Sequence, residues 1–344
     1  MPSVVLGLDI GGANLKAATA DRRAVSVPFP LWKQPDKLPA ALAGLAAKFP
    51  DAEEFAVTMT GELCDCYETK RQGVNAILTA VQNVSRSYPI RVWGTDGKFV
   101  NVEEARTDYL KVAAANWHAL ATFAGEYVAH GPALLLDIGS TTTDVIPLYD
   151  GEPVPEGKTD PDRLESLELL YVGVRRTPLC ALLGVQCAAE LFATTLDVYL
   201  MLGLHPDDPQ DTDTADGRPA TRTHAHARLS RMLCSDPELT SEEAASDLAS
   251  RVEAKVLDSI RYNVRIVAGR VRDRDRQERG WMKARTVRVI ASGSGEFAAR
   301  RLLEPEGLAD LNPSPIFLSD KLGPAVATCA PAYALAVLAT ERRP

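Results

Sequence analysis

The residues best placed to do chemistry sit in two short stretches, Leu6-Gly7-Leu8-Asp9-Ile10-Gly11-Gly12-Ala13-Asn14-Leu15-Lys16 and Leu134-Leu135-Leu136-Asp137-Ile138-Gly139-Ser140-Thr141-Thr142-Thr143-Asp144. Each is an apolar run ending in Asp-Ile-Gly, followed by small polar residues and a second apolar run. That pattern predicts a strand, a tight glycine turn and a returning strand. Glycines there let the backbone approach an anion closely. Amides of Gly11, Gly12, Asn14 and Gly139, with amides and hydroxyls of Ser140, Thr141 and Thr142, suit the cradling of phosphate oxygens. Lys16 adds a point charge facing the first turn. Asp9 and Asp137 are candidates to hold Mg²⁺ through water, because Mg²⁺ gives up its hydration reluctantly. Turn capping would explain either aspartate alone. Two turns in matched contexts point instead to two related half-domains facing one phosphate-bearing ligand.

The elements that must position these turns alternate between strands and helices. Val4–Asp9 with Leu15–Ala20, and the run 133–148, predict two hairpins. Phe55–Thr58, Ile90–Val92, Phe99–Val100, Val287–Ala291 and Ile316–Leu318 predict further strands. Helical spacing marks Leu38–Lys48, Gln72–Arg86, Trp117–Tyr127, Ser241–Arg270 and Cys329–Thr340. Glu103–Ala105 reads as the start of a connection. Pro206–Arg222 reads as a surface loop, partly disordered, and Arg272–Arg279 as a solvated charged stretch. His130-Gly131-Pro132 divides the chain into residues 1–130 and 131–344, with a mainly helical insertion at about 163–285. Ser292-Gly293-Ser294-Gly295 follows a strand and opens a helix, a second place where glycines could meet a ligand. Trp32, Trp93 and Trp117 read as core residues.

Composition narrows the function. The 344 residues suffice for two domains, and 46% hydrophobic with 24% charged residues is ordinary for a soluble chain. A net charge of −8 gives no reason to expect a nucleic-acid or membrane partner. No apolar run spans a bilayer and the N-terminus reads as a strand rather than a signal peptide, so a cytoplasmic location is expected. Nothing argues against a homo-oligomer. Six scattered cysteines form no zinc-like double pair and read as reduced structural thiols. His224 and His226 lack a third ligand and read as surface residues.

In order along the chain, Asp9–Lys16, Asp137–Asp144 and Ile290–Glu296 resemble the first phosphate, second phosphate and adenosine motifs of the actin-like ATPase superfamily. The resemblance implies an α/β chain of two actin-like, RNase H-like domains. Within that superfamily, Val57–Leu63 with Lys70, Tyr171–Leu179, Phe192–Tyr199 and Thr214–Gly217 resemble the short hydantoinase/oxoprolinase-type proteins of tetrahydromethanopterin-linked one-carbon metabolism. Cys64 and His118 depart from that group's pattern, which has a small residue and an aromatic there. Archaeal members include an enzyme that joins an aminomethylfuran diphosphate to the phenol of a glutamyl-tyramine and releases pyrophosphate. Bacteria with the pathway make methylofuran. The resemblance therefore implies a transferase forming an aryl ether, with a small-molecule diphosphate and a phenolic acceptor as partners and Mg²⁺ as cofactor.

Such a reaction needs preorganised donors for the departing diphosphate and a base or cation for the phenol, whose reference pKa is about 10. Glu62, Asp144 and Asp160 are candidate bases, and Arg175 and Arg176 candidate cations. The residues alone do not rank them. The glycine turn at Gly293–Gly295 keeps an ATP-dependent kinase or ATPase as an alternative. A nucleotide-sensing binding module of the actin type is a third reading.

Overall fold

The computed structural model describes residues 3–85, 87–280, 283, 285–304, 308, 311 and 315–342. Apolar runs build two six-stranded sheets. The first contains β1 (Val4–Ile10), β2 (Asn14–Thr19), β3 (Ala24–Pro28), β4 (Ala52–Met59), β5 (Ile90–Trp93) and β6 (Phe99–Val100), in the order β3-β2-β1-β4-β5-β6. The second contains β7 (Pro132–Ile138), β8 (Thr143–Tyr149), β9 (Glu152–Pro153), β10 (Leu169–Leu170), β11 (Arg288–Ser292) and β12 (Ile316–Phe317), in the order β10-β8-β7-β11-β12, with β9 on β8. The sheets echo each other. A central strand (β1, β7) pairs antiparallel with its returning neighbour (β2, β8) and parallel with a later strand (β4, β11). The chain is therefore a pair of α/β units of like topology, the two related halves that the Asp-Ile-Gly turns predict.

Alternation along the central strands sorts their side chains between layers. Leu134, Leu136 and Ile138 join a core under the long helix Glu242–Glu278. Ala133 and Leu135 join a second core with the helices Asn116–Gly125 and Ala330–Glu341. Val5, Ala18 and Ala56 of the first sheet enter the same second core, so these two helices pack against both sheets. The outer face of the first sheet carries the helices Leu38–Ala46 and Lys70–Ser85. Covered on both faces, β1 and β7 are almost wholly apolar. Their ends are the places where Asp9 and Asp137 can reach a ligand.

The closing helix lies close enough on β1 to demand glycine there. A Cβ on Gly7 would come within 1.9 Å of the Ala332 carbonyl oxygen. Gly7→Ala should push the helix outward and cost about 1–3 kcal/mol in denaturant unfolding. Gly44, exposed on the helix Leu38–Ala46 with no atom near its missing Cβ, is the control. Gly44→Ala should be neutral or stabilise by up to about 1 kcal/mol.

Several expectations need correction. Glu103–Ala105, expected to lead into a connection, is the middle of a helix, Val102–Thr107, opened by a capping box between Asn101 and Glu104. Arg272–Arg279 is mostly exposed, as expected, but it is helical and one of its residues is buried. The long helix continues to Glu278 because nothing breaks it before Gly280, and Asp275 is buried where the Arg285 amide (2.7 Å) and Nε (2.9 Å) donate to it. Pro206–Arg222 is on the surface but tied down. Asp208 and Ala220 form a bridge, Asp211 accepts from Arg175, and Asp216 accepts from Arg228. Arg86, the expected end of one helix, lies outside the described residues. Among the described residues, no helix is long and apolar enough to cross a membrane.

His118 behaves as the aromatic it replaces. It is buried between Trp93 and Trp117, and that burial holds its imidazole down to about 4. It is therefore neutral at ordinary pH. Trp93 and Trp117 are core residues as expected.

Candidate active site

Each Asp-Ile-Gly turn ends the central strand of its sheet. The amide of the first glycine closes the hairpin in both: Gly11 N–H donates to the Asn14 carbonyl at 3.0 Å, and Gly139 N–H to that of Thr142 at 2.8 Å. The first glycine thus serves the turn itself, and any role as an anion donor falls to the residues after it. The Ile10 carbonyl accepts from Thr60 and Gly61, at 3.0 and 3.1 Å. The Gly12 carbonyl accepts from Leu31 at 2.8 Å. The second turn is braced by 172–176. A Cβ on Gly173 would lie 2.5 Å from the Ser140 carbonyl carbon, and the amides of Arg175 and Arg176 donate to the Ser140 oxygen at 3.0 and 2.9 Å. Thr141, Thr142 and Ser140 are all part-exposed at this tip.

The two turns come within electrostatic reach of one another: Lys16 and Asp9 of the first half both act on Asp137 of the second. Asp9 and Lys16 stand opposite in register, with Lys16 Nζ 3.9 Å from Asp9 Oδ2. Burial pushes the Asp9 carboxyl up and Lys16 opposes it. Asp9 Oδ1 and the Thr58 hydroxyl of its neighbour in register are enclosed with no hydrogen-bond partner among the described residues. Asp137 stands opposite Asp144 in register. Burial, and then the Asp144 charge, push Asp137 up to about 7, with Lys16 opposing. Asp137 Oδ1 is likewise enclosed with no hydrogen-bond partner among the described residues, though the Ser292 side chain is near enough to favour the ionised carboxylate.

Asp144 is committed elsewhere. Arg163, itself buried, donates to Asp144 Oδ1 and stacks 4.1 Å from the Trp117 ring. Burial raises Asp144 and Arg163 works against it. Arg163 Nη1 also lies 3.8 Å from Asp160. Asp160 in turn accepts from Lys70 Nζ at 3.3 Å, and Lys70 lies 3.9 Å from Glu62 Oε1. Glu62, Lys70, Asp160, Arg163 and Asp144 therefore form one chain of alternating charge that crosses between the halves. Glu62 is buried, its Oε2 has no partner among the described residues, and burial first of all pushes it up to about 7.

The two arginines part company. Arg175 turns away to Asp211, with Nη2 at 2.9 and 2.7 Å from the two carboxylate oxygens. Arg176 instead lies over the Trp32 ring of the first half, at 4.6 Å. Trp32 is only half-buried, so it is a contact across the cleft rather than the core residue expected. The turn Gly293–Gly295 also reaches this place. Gly293 has φ +95°, and a Cβ there would meet the Ile138 carbonyl oxygen at 2.2 Å and Asp137 Oδ1 at 2.6 Å. Packing against β7 accounts for that glycine without a nucleotide. Ser294 is exposed beside it, and Gly295 N–H donates to the Ile138 carbonyl at 2.8 Å.

His224 and His226, expected at the surface, are both part-buried and hydrogen-bonded within the fold. One meets the Thr221 hydroxyl at 2.8 Å and the other the Thr240 carbonyl at 2.7 Å. Sequence reasoning passed over Arg163 and gave Lys70 no role. An Asp-x-x-Arg spacing behind a capping threonine is what a solvated helix also shows, so only burial could mark Arg163.

The sequence pattern described as hydantoinase/oxoprolinase matches residues 53–342. A protein of Methanocaldococcus jannaschii named (4-{4-[2-(gamma-L-glutamylamino)ethyl]phenoxymethyl}furan-2-yl)methanamine synthase is 33% identical over 350 residues, covering 98% of both chains. One of the same name from Methanococcus vannielii is 31% identical over 217 residues, covering 60% of this chain and 89% of its own. Among solved structures, nucleotide-free acetone carboxylase superposes with a TM-score of 0.53 at 12% identity, covering 97% of this chain and 70% of that one. That last likeness concerns the fold alone.

Proposed function

The chain belongs to the hydantoinase/oxoprolinase family, and from that premise we propose that it is a transferase that builds an aryl ether: the phenol oxygen of a tyrosine-derived acceptor bonds to the CH₂ carbon of an aminomethylfuran diphosphate, and pyrophosphate departs. The product named for both of these relatives carries such a phenoxymethyl-furan linkage. The observation that supports the reading best is that each turn carries an enclosed carboxylate oxygen with no partner among the described residues, and that Lys16 acts electrostatically on both carboxylates. Two such carboxylates suit a hydrated divalent cation, and Asp9 and Asp137 would hold Mg²⁺. When bound, Mg²⁺ would help carry the negative charge that grows on the diphosphate.

The protein's own groups do the rest. Lys16, the tip amides of the first turn from Gly12 to Asn14, and the Ser140–Thr142 hydroxyls and amides grip the diphosphate from both halves. Arg176, stacked on Trp32, adds a cation at the rim of the first turn. The electron-rich furan shares the positive charge left at carbon as the C–O bond to diphosphate breaks. Glu62 is the base that takes the phenol proton. Asp144 and Asp160 are each engaged by a cation, whereas Glu62 keeps one oxygen without a partner and titrates near neutrality, where a general base works best.

The test is a product assay. Purified protein receives Mg²⁺ with an aminomethylfuran diphosphate and tyrosine, tyramine or glutamyl-tyramine. Pyrophosphate release matched one-to-one by ether product is expected. ADP formation from ATP without the furan would replace the proposal with the kinase or ATPase reading.

A further inference from the structure

We propose that Lys70 is a positioning residue shared between Glu62 and Asp160: as the halves close, Asp160 draws the ammonium off Glu62 and frees that carboxylate to take the acceptor's proton. The inference rests on the reading of Glu62 as the base. Glu62 lies in the loop after β4, and Lys70 opens the helix Lys70–Ser85, both in the first half. Asp160 opens the helix Asp160–Glu165 in the second. The ammonium is nearer to Asp160 Oδ2 (3.3 Å) than to Glu62 Oε1 (3.9 Å). Asp160 is itself held by Arg163 at 3.8 Å, so its position follows the second half.

The electrostatics have a definite sign. Besides burial, the backbone amide of Glu62 itself and then Lys70 favour its ionised form and Asp160 disfavours it, while Cys64 also senses its charge. If the second half moves away, Asp160 leaves and Lys70 pairs with Glu62 alone. Glu62 is then a stabilised anion and a poor base. In the closed arrangement the ammonium is claimed by Asp160, and Glu62 can accept a proton from the phenol. The O–H bond of the acceptor breaks to Glu62 as its oxygen bonds to the furfuryl carbon, so the base gains strength only when both halves enclose the substrate.

The experiment follows the Glu62 carboxyl directly by infrared difference titration of the full chain, with Glu62→Gln as the blank that identifies its band. Lys70→Met should move the titration up by about one pH unit. Asp160→Asn should move it down. Lys70→Arg should leave it near wild type. The acid limb of kcat should follow the same two directions, with the KM for the diphosphate substrate little changed. Loss of packing alone would lower Tm in either variant without opposite shifts. Opposite shifts support the proposal even if the furan diphosphate proves to be the wrong substrate. Coincident or same-direction shifts overturn it, even in an enzyme that turns over the furan substrate.

Discussion

Lys16→Ala should lower turnover by about 10²–10³-fold with the fold intact, measured as pyrophosphate release. The ammonium is part-exposed on β2, so its loss opens no core cavity. Its charge acts on both Asp9 and Asp137, one from each half. Removing it leaves two enclosed carboxylates with less compensation and, under the proposed reaction, takes a cation from the growing charge on the diphosphate. The loss should fall on kcat and kcat/KM alike, the sign of an interaction made in the transition state. Asp137→Asn should cause a loss of similar size for a different reason, because an amide would bind the cation poorly. Near-normal rates in both variants would place the chemistry elsewhere.

The largest expected loss of stability lies behind the second turn rather than in it. Arg228 and Asp197 form a fully buried pair, Nε to Oδ1 at 2.6 Å, and Arg228 Nη1 also donates to Asp216 at 3.0 Å. Asp197 also accepts from the Thr194 amide at 2.9 Å, as part of the cap on the helix Thr195–Met201. Arg228→Met keeps most of the bulk but strands a carboxylate in the interior, which should cost about 3–5 kcal/mol. Burial raises the Asp197 carboxyl and Arg228 is the main force opposing that. In the variant the folded carboxyl sits still higher above its unfolded value. The deficit should then be small at or below the unfolded value, and grow as pH rises toward the folded one. Denaturant unfolding at a series of pH values checks both size and slope. A deficit that does not change with pH would mean that lost packing, not the stranded charge, is responsible. Asp216 also belongs to the loop whose Asp211 holds Arg175, so the variant should loosen the brace behind the second turn as well.

Local sequence was sufficient for the two hairpins and for the architecture they imply. Asp-Ile-Gly between apolar runs carries its own geometry, because strand period and turn chemistry act within a few residues. The central strands could be read for the same reason, since burial on both faces requires an unbroken apolar run. The base candidates could not be ranked that way. Glu62, Asp144 and Asp160 are alike as residue types, and only the partners that folding brings to them set them apart: Arg163 for Asp144, Lys70 and Arg163 for Asp160, and for Glu62 a single distant ammonium.

The same limit explains Trp32 and the charged end of the long helix. A tryptophan reads as core until an arginine from the other half is found lying on it. Asp275 reads as solvated until Arg285, beyond the end of its helix, folds back to meet it. The sequence by itself determined where the two strand-turn-strand hairpins lie, since those depend on residues a few positions apart. The tertiary structure alone decided which carboxyl groups stay ionised, because desolvation and ion pairing are set by groups distant in the chain.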